Sequence, residues 1–425
     1  MAHRTVKSGY SQLVGRLNRA PPGAPPSELL NQILALLMNE QEAALLSLLP
    51  IRPFTARKAA RIWKLDEAAA QKQCETLASR ALLVDMERRG RMIYVLPPPM
   101  AGFFEFSLMR VRGDLDQKLL SELFHQYLNV EEDFVKELFT TGETQLGRVF
   151  VQEPVLTSEQ AAHVLDYERA SEVIRTASHI GVGLCYCRHK QQHLGQACDQ
   201  PLDICMTFNS SAESLTRHGH ARAVETSECL DLLDQAYEGG LVQFGENVQR
   251  RVSFICNCCG CCCEALTAQR RFAHLHPVHS SNWLPVTDSE SCKGCGKCVR
   301  ACPVEALSLL SANDPAKPRR MATRLDESVC LGCGVCARAC PQEALTMQER
   351  ESRIITPLNS AHRYVLMATE RGKLQDLIFD NRVLWSHRAL AALLGSVLKL
   401  SPVKRWLAQK QLKSRYLETM AARRQ

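Results

Sequence analysis

The sequence predicts a modular protein of the α+β class. Its 425 residues exceed the usual size of one hydrophobic core, so about two to four modules are expected. Stretches with helical apolar periodicity are interrupted by short strand and hairpin patterns, which predicts helices and small sheets along the same chain. Of the 20 cysteines, all but two fall into four groups, and these groups predict a Cys-rich α/β region in the middle of the chain.

The composition is that of a globular protein, apart from its cysteines. Hydrophobic residues make up 45% and charged residues 23% of the chain. The basic N-terminal segment lacks the apolar stretch of a secretory signal, and no run of about 18 apolar residues predicts a membrane span. We therefore expect a cytoplasmic protein. Because a reducing compartment disfavours disulfides, its cysteines are expected to bind metal.

The N-terminal part predicts a small helical domain with a hairpin. Residues 1–26 are expected to be a flexible N-terminus, and residues 27–100 show two helical segments, a helix–turn–helix with Thr55 as N-cap, and a hairpin that turns at Gly90. This order is typical of a winged-helix domain, which commonly binds DNA. Because the candidate recognition helix lacks a basic face, we expect it to contact protein, with DNA binding as the less favoured alternative. The basic residues are on the wing: Arg88, Arg89 and Arg91.

The most specific signal is the pattern C-x2-C-x2-C-x3-C-P, which begins at Cys292 and again at Cys330. Residues 286–350, which contain both copies, resemble the bacterial two-cluster ferredoxins. The resemblance implies two [4Fe–4S] clusters, with the fourth cysteine of each run binding the other cluster. The implied ligand sets are Cys292, Cys295, Cys298 and Cys340 for one cluster, and Cys330, Cys333, Cys336 and Cys302 for the other.

Glycines and prolines within the two runs agree with this interpretation. Gly294 and Gly332 let the backbone wrap a compact cluster and direct N–H groups at its sulfurs. A short helix is expected after each proline, Pro303 and Pro341. The alternative, two pairs of structural zinc sites, is disfavoured because the full spacing occurs twice.

Residues 101–285 are expected to form a scaffold for further iron–sulfur clusters. The apolar run HIGVGL predicts a buried strand, and four cysteines follow it: Cys185, Cys187, Cys198 and Cys205. Four thiols suit one iron–sulfur cubane or one zinc ion, and we expect a third cluster, with zinc as the alternative. His189 and His193 could replace a thiolate, although polar loop residues near the site are the favoured interpretation.

The segment CNCCGCCC carries six thiols in eight residues: Cys256, Cys258, Cys259, Cys261, Cys262 and Cys263. A cubane needs four, and Gly260 allows the backbone to loop. Three arrangements stay open: a cubane with two spare thiols, a site shared with the preceding cysteines, or a cluster of higher nuclearity. The CCG part resembles the double-Cys motif of heterodisulfide-reductase-type subunits, which bind a non-cubane cluster. The two remaining cysteines, Cys74 and Cys229, are expected to be buried hydrophobic residues.

Residues 351–425 are predicted to form a basic helical tail. From residue 360 onward there are 13 Lys and Arg against 4 Asp and Glu, a net charge of +9. We expect a core-packed helix with a solvated basic face. The alternative is a docking surface for an acidic redox partner or an anionic membrane.

The chain as a whole resembles a poorly characterised group of winged-helix iron–sulfur proteins that end in a ferredoxin domain. The stretches that carry this likeness are PPPMAGFFEFSLMR at Pro97–Arg110, the C-x-C segment, ICNCCGCCC and the paired ferredoxin runs. The resemblance implies this order of modules and brings no reaction with it.

The function expected from these features is electron transfer. Signatures of nucleotide-binding or hydrolytic sites, such as a Walker A motif or GxSxG, do not occur in the sequence. We therefore predict an electron carrier, or an oxidoreductase subunit without its own substrate site, that relays single electrons to an oxidoreductase partner. The alternatives are a redox-sensing DNA-binding regulator and a catalytic subunit whose reaction takes place at Cys256–Cys263.

Overall fold

A computed structural model describes residues 8–312 and 319–379 of the chain. The described residues belong to two compact units. The first comprises residues 8–144, 213–221 and 359–379, and the second comprises residues 145–212, 222–312 and 319–358. Helices and small sheets occur together, which confirms the α+β class. The five domain boundaries expected from the sequence stay a prediction.

The N-terminal part of the first unit consists of helices and one hairpin. The helices are α1 (Gly9–Leu17), α2 (Glu28–Leu37), α3 (Glu40–Leu48), α4 (Ala56–Trp63), α5 (Glu67–Ser79), α6 (Phe104–Phe106), α7 (Gln117–His125) and α8 (Asp133–Phe139), and the strands are β1 (Val84–Arg88) and β2 (Arg91–Val95). Thr55 caps α4 through a hydrogen bond from Lys58 N to its Oγ1 (3.3 Å), as predicted. Gly90, at φ +71°, forms the turn between β1 and β2. The winged-helix assignment stays a prediction. So does the expectation that this domain contacts protein, with DNA binding as the less favoured alternative.

A six-stranded antiparallel sheet forms the core of the second unit. Its strands are β3 (Gly147–Val149), β4 (Ile180–Leu184), β5 (Asp203–Phe208), β6 (Arg222–Ala223), β7 (Val242–Glu246) and β8 (Phe254–Cys258), in the order β3-β7-β8-β5-β4-β6. The other helices of the second unit up to residue 272 are α9 (Ser158–His163), α10 (Ala170–Thr176), α11 (Tyr186–His193), α13 (Thr226–Glu238) and α14 (Glu264–Phe272), and helix α12 (Asn209–Arg217) begins in the second unit and ends in the first. Met206 and Ile255 pair across β5 and β8, and both are buried in the main core of the sheet. The buried strand predicted from HIGVGL is β4.

The two cysteine runs lie in the segments that connect two small antiparallel sheets of two strands each. Strand β9 (Trp283–Thr287) pairs with β12 (Leu345–Glu349), and β10 (Leu307–Ser311) pairs with β11 (Met321–Leu325). Helices α15 (Lys297–Ala301) and α16 (Val335–Arg338) precede the prolines, so the helices expected after Pro303 and Pro341 are wrong. After each proline the chain instead turns through a residue with positive φ, Glu305 (59°) or Glu343 (50°), and enters a strand.

The C-terminal helices of the described chain are α17 (Ser360–Glu370) and α18 (Leu374–Ile378). The rest of the predicted basic tail, residues 380–425, lies outside the described residues. Among residues 8–312 and 319–379, no helix is long and apolar enough to cross a membrane.

Candidate metal centres

One cavity of the second unit is lined by four cysteines from both runs. Its thiols belong to Cys302, Cys330, Cys333 and Cys336, and its empty volume is about 310 Å³. Cys333 and Cys336 are buried. The cavity therefore combines the last cysteine of the first run with the first three of the second. The resemblance to two-cluster ferredoxins implies the same four residues as ligands of one cluster, and that ligand role stays a prediction.

A second cavity has the reciprocal composition. It is lined by Cys292, Cys295, Cys298 and Cys340, and its empty volume is about 290 Å³. Cys295 is exposed, whereas Cys298 is buried. This cavity therefore reaches the surface on one side, at Cys295.

Main-chain N–H groups and glycines shape these cavities. Gly332 N donates to Cys330 Sγ (3.3 Å), and Ala306 N donates to Cys302 Sγ (3.2 Å). Gly332 adopts φ +66°, and a Cβ there would collide with the main chain of Trp283, so only glycine fits. Four thiol donors line each cavity, and main-chain N–H groups are directed at sulfur in the Cys302 cavity. Both features fit a [4Fe–4S] cluster.

Burial favours the neutral form of three thiols of the Cys302 cavity by raising the pKa of Cys330, Cys333 and Cys336. Burial raises the pKa of Cys330 to about 11 and that of Cys333 to about 12. Since thiolates are the ligand form, metal binding must release these protons. Cluster binding at this cavity is therefore expected to be favoured by higher pH.

A third set of thiols lies at the end of the sheet, after β8. We call it the Cys261 group, and its members are Cys198, Cys259, Cys261 and Cys262. All four Sγ atoms lie within 4.8 Å of one another. Cys261 is exposed, and Cys259 and Cys262 are buried. The group therefore has one side open to solvent.

The sulfur spacing in the Cys261 group is compact. Sγ–Sγ distances are 3.6 Å between Cys198 and Cys259, 3.8 Å between Cys198 and Cys262, and 3.6 Å between Cys261 and Cys262. Sulfurs around one tetrahedral ion are about 3.8 Å apart when each metal–sulfur bond is about 2.3 Å. The spacing therefore suits one ion directly, and an iron–sulfur cube requires the thiolates to move apart.

A fourth set of thiols lies beside the third. We call it the Cys258 group, and its members are Cys185, Cys187, Cys258 and Cys263. The Sγ atoms of Cys258 and Cys263 are 3.3 Å apart. The thiols of Cys185 and Cys263 lie close enough to Cys187 to raise its pKa. Thiols from both Cys-rich segments therefore meet in this group, as they do in the Cys261 group.

The structure groups these cysteines differently from the sequence-based sets. Cys198 joins the CNCCGCCC segment in the Cys261 group, and Cys185 and Cys187 join that segment in the Cys258 group. Cys205 lies on β5 and Cys256 on β8, outside the two groups. The rings of His189 and His193 lie 4.7 Å apart on α11, and neither belongs to the Cys261 group.

The remaining two cysteines are where the sequence predicts. Cys74 on α5 and Cys229 on α13 are both fully buried among apolar side chains. Burial raises the pKa of each of these thiols to about 12. Both behave as small hydrophobic residues.

A buried arginine lies between the two upstream groups. Arg188 is fully buried and donates to the carbonyl oxygens of Pro201 and Asn257 and to the thiol of Cys259. Burial opposes its charge, but the thiolates of Cys185 and Cys259 raise the pKa of Arg188 above its ordinary value. Its positive charge is therefore available to both groups.

Further charges are buried beside the Cys258 group. Lys190 is fully buried and forms a salt bridge with Glu264, which directly follows Cys263 and is itself buried. Sequence reasoning missed Arg188, Lys190 and Glu264, because charged residues on short helices are usually solvated. Their only sequence signal is proximity to cysteines.

The loop of the Cys261 group is packed against the chain beside the Cys302 cavity. A Cβ at Gly260 would lie 2.7 Å from the carbonyl oxygen of Pro303, the residue after Cys302. Helix α14 adds a hydrogen bond from Gln269 Nε2 to the carbonyl oxygen of Val329, next to Cys330 (3.1 Å). The loop of the Cys261 group is therefore in direct backbone contact with the residue that follows Cys302.

A chain of buried hydrogen bonds runs between the same two regions. Gln152 N donates to the carbonyl oxygen of Cys333 (3.0 Å), and Gln152 Nε2 donates to that of Leu241 (3.0 Å). Gln243 Nε2 donates to Leu241 O (3.0 Å) and to Asn257 Oδ1 (3.1 Å). These bonds fix strand β8, which carries Cys256 and Cys258, relative to the Cys333 loop.

Comparison with known proteins identifies the module that contains the two cysteine runs. Residues 291–344 match the family model described as a 4Fe-4S dicluster domain. Neither the curated proteins nor the solved structures contain a match to the chain. The segment of residues 291–344 is therefore a 4Fe–4S dicluster domain.

Proposed function

We propose that this protein relays single electrons through the two clusters of its dicluster domain and through further iron–sulfur clusters of its Cys-rich region to an oxidoreductase partner. The dicluster domain carries this proposal, because clusters of this type supply reversible one-electron transfer. Cys292, Cys295, Cys298 and Cys340 would hold one cluster, and Cys302, Cys330, Cys333 and Cys336 the other.

The packing of the second unit supports a relay that extends beyond this domain. The contact of Gly260 with Pro303 brings the Cys261 group next to the Cys302 cavity. Two cysteines of the proposed path are exposed, Cys295 on the dicluster domain and Cys261 upstream. Electrons would enter at one exposed side and leave at the other, where a partner protein can dock.

A single zinc ion is the second candidate for the Cys261 group. The Sγ–Sγ distances of 3.6–3.8 Å match a tetrahedral ion, and zinc has no redox chemistry. In that case the Cys261 group would be structural. The relay would then not pass through this group, and a partner would dock near Cys295.

The test is metal and sulfide analysis of anaerobically purified protein beside the variant Cys259→Ala/Cys262→Ala. The proposal expects the variant to lose about four iron atoms and four sulfides. The loss of about one zinc atom with no iron would establish the structural alternative for this group. Cys74→Ala/Cys229→Ala is the matched control, since it also removes two buried thiols, and it should retain every metal.

The electron-transfer step itself is tested by reductive titration of the intact protein. Each cluster should accept one electron in this titration. When the reduced protein is mixed in a stopped-flow instrument with an oxidised ferredoxin-dependent acceptor, the clusters of the protein should be reoxidised. A protein that binds the dicluster iron but takes up no electrons at potentials accessible to dithionite would contradict the proposed function.

A further inference from the structure

Three cysteines share one face of the central sheet. Met206 and Ile255 are paired across β5 and β8, and both point into the buried apolar core. Because successive residues of a strand point to opposite faces, Cys205 on β5 lies on the other face, as do Cys256 and Cys258 on β8. This face is distinct from the main apolar core.

Three further cysteines reach the same end of the sheet from flanking segments. Cys185 directly follows β4, and Cys187 lies in the first turn of α11. Cys263 precedes α14, and its Sγ atom is 3.3 Å from that of Cys258. Cys256 is in hydrogen-bonding contact with Cys258. Six thiols are therefore concentrated here: Cys185, Cys187, Cys205, Cys256, Cys258 and Cys263.

Their surroundings suit an anionic centre. Arg188 is fully buried within electrostatic reach of Cys185 and Cys258, and the Lys190–Glu264 ion pair is buried next to Cys263. A buried cation is costly unless a negative charge lies near it. Thiolates beside Arg188 supply that charge, and the thiolate is the form in which cysteine binds a metal.

We propose that the Cys258 group binds an iron–sulfur cluster of its own, separate from the metal centre of the Cys261 group. Cys185, Cys187, Cys258 and Cys263 are its ligands, and Cys205 and Cys256 are neighbouring thiols that do not bind it. As in the Cys261 group, the thiolates move apart when the cluster binds, because the Sγ atoms of Cys258 and Cys263 are 3.3 Å apart without it. This inference rests on the proposed iron–sulfur function and adds one centre to it. With the two dicluster clusters and the Cys261 centre, the chain then has four metal centres.

The test compares two double variants of the full-length, anaerobically purified protein. Cys258→Ala/Cys263→Ala should lose about four iron atoms and four sulfides, whereas Cys259→Ala/Cys262→Ala should retain the iron of the Cys258 group. Low-temperature electron paramagnetic resonance of the reduced dicluster clusters, recorded on the same samples, reports that each variant is folded. Cys205→Ala is a matched single control, and it should keep all iron.

The decisive measurement is the iron content of Cys259→Ala/Cys262→Ala. This variant lacks the Cys261 centre, and its Cys258 group is unaltered. It should contain about twelve iron atoms per chain, eight in the dicluster domain and four in the Cys258 group. About eight iron atoms, or zinc in place of the additional iron, would overturn the inference while leaving the dicluster relay intact. Loss of iron from Cys205→Ala would overturn the ligand assignment. Absence of the dicluster iron from the unaltered protein would instead contradict the proposed function.

Discussion

Gly260 lies against the backbone of Pro303, so closely that an added Cβ would be 2.7 Å from its carbonyl oxygen and 2.9 Å from its Cα. Both neighbouring atoms belong to the main chain and cannot rotate away. Gly260 is in the loop that carries Cys259 and Cys261, and Pro303 directly follows Cys302. The contact therefore joins two cysteine sites that the sequence separates by 43 residues (303 − 260).

Gly260→Ala is predicted to destabilise this junction. Overpacking at a rigid backbone contact costs about 1–3 kcal/mol. The displacement of Pro303 should loosen Cys302 and increase the rate at which a chelator removes iron from the anaerobic protein. Gly15→Ala is the control, because no atom lies within 4 Å of a Cβ there and alanine favours helix α1. Equal iron release from both variants would contradict the prediction.

The crossed ligand sets are tested by Cys302→Ala and Cys340→Ala. Each should remove about four iron atoms and leave the other cluster in place. Since Cys295 is exposed, the cluster that survives in Cys302→Ala should react readily with a chelator. The cluster that survives in Cys340→Ala is surrounded by the buried Cys333 and Cys336, so it should react slowly. The reverse pattern would mean that each run holds its own cluster.

Arg188 is predicted to raise the reduction potential of the upstream centres. Arg188→Gln removes a buried positive charge beside Cys185 and Cys259, and an added electron is then less well stabilised. A redox titration followed by electron paramagnetic resonance should show a more negative potential. Arg188→Lys keeps the charge and should restore most of the shift. Arg222→Gln, which removes the exposed partner of Asp203 and Glu228, is the control.

An unchanged potential in Arg188→Gln would show that the arginine is only structural. A loss of folding in both Arg188 variants would be distinguished by the dicluster signal. That signal reports the state of the second unit independently of the upstream centres.

Asp85 is predicted to stabilise the first unit. Its carboxylate accepts hydrogen bonds from Ser214 (2.6 Å), Arg217 (2.8 Å) and His218 (3.1 Å). Burial acts to raise its pKa, but these hydrogen bonds lower the pKa of Asp85 to about 2. The difference from the ordinary value corresponds to about 2 kcal/mol of stability, so Asp85→Asn should unfold at lower temperature.

The pH dependence of this effect has a definite sign. Because the folded-state pKa is depressed, the contribution is fully present above about pH 4 and is lost as the pH falls towards about 2. Thermal unfolding followed by circular dichroism should therefore give the same difference between wild type and Asp85→Asn at pH 7 and pH 5. Glu132→Gln is the control, because the partly exposed i,i+4 pair of Glu132 with Lys136 contributes little. A difference that shrinks between pH 7 and pH 5 would identify another titrating group.

The sequence by itself determines the dicluster domain. Three ligands of each cluster lie within seven residues, and glycines at fixed positions form the loop, so the pattern is local and can be read directly. The strand β4, the N-cap at Thr55 and the buried state of Cys74 and Cys229 also follow from local patterns. The helices expected after Pro303 and Pro341 do not form, because the chain turns there through residues with positive φ.

Only the tertiary structure decides how the ten upstream cysteines are divided. Cys187 lies in the first turn of helix α11 and Cys198 in the segment after that helix, and the structure assigns these two thiols to different groups. The loop at Gly260 then sends Cys258 and Cys259 to different groups. Each group is completed by a thiol from a distant segment, and such pairing depends on the packing of β4, β5 and β8 rather than on spacing along the chain.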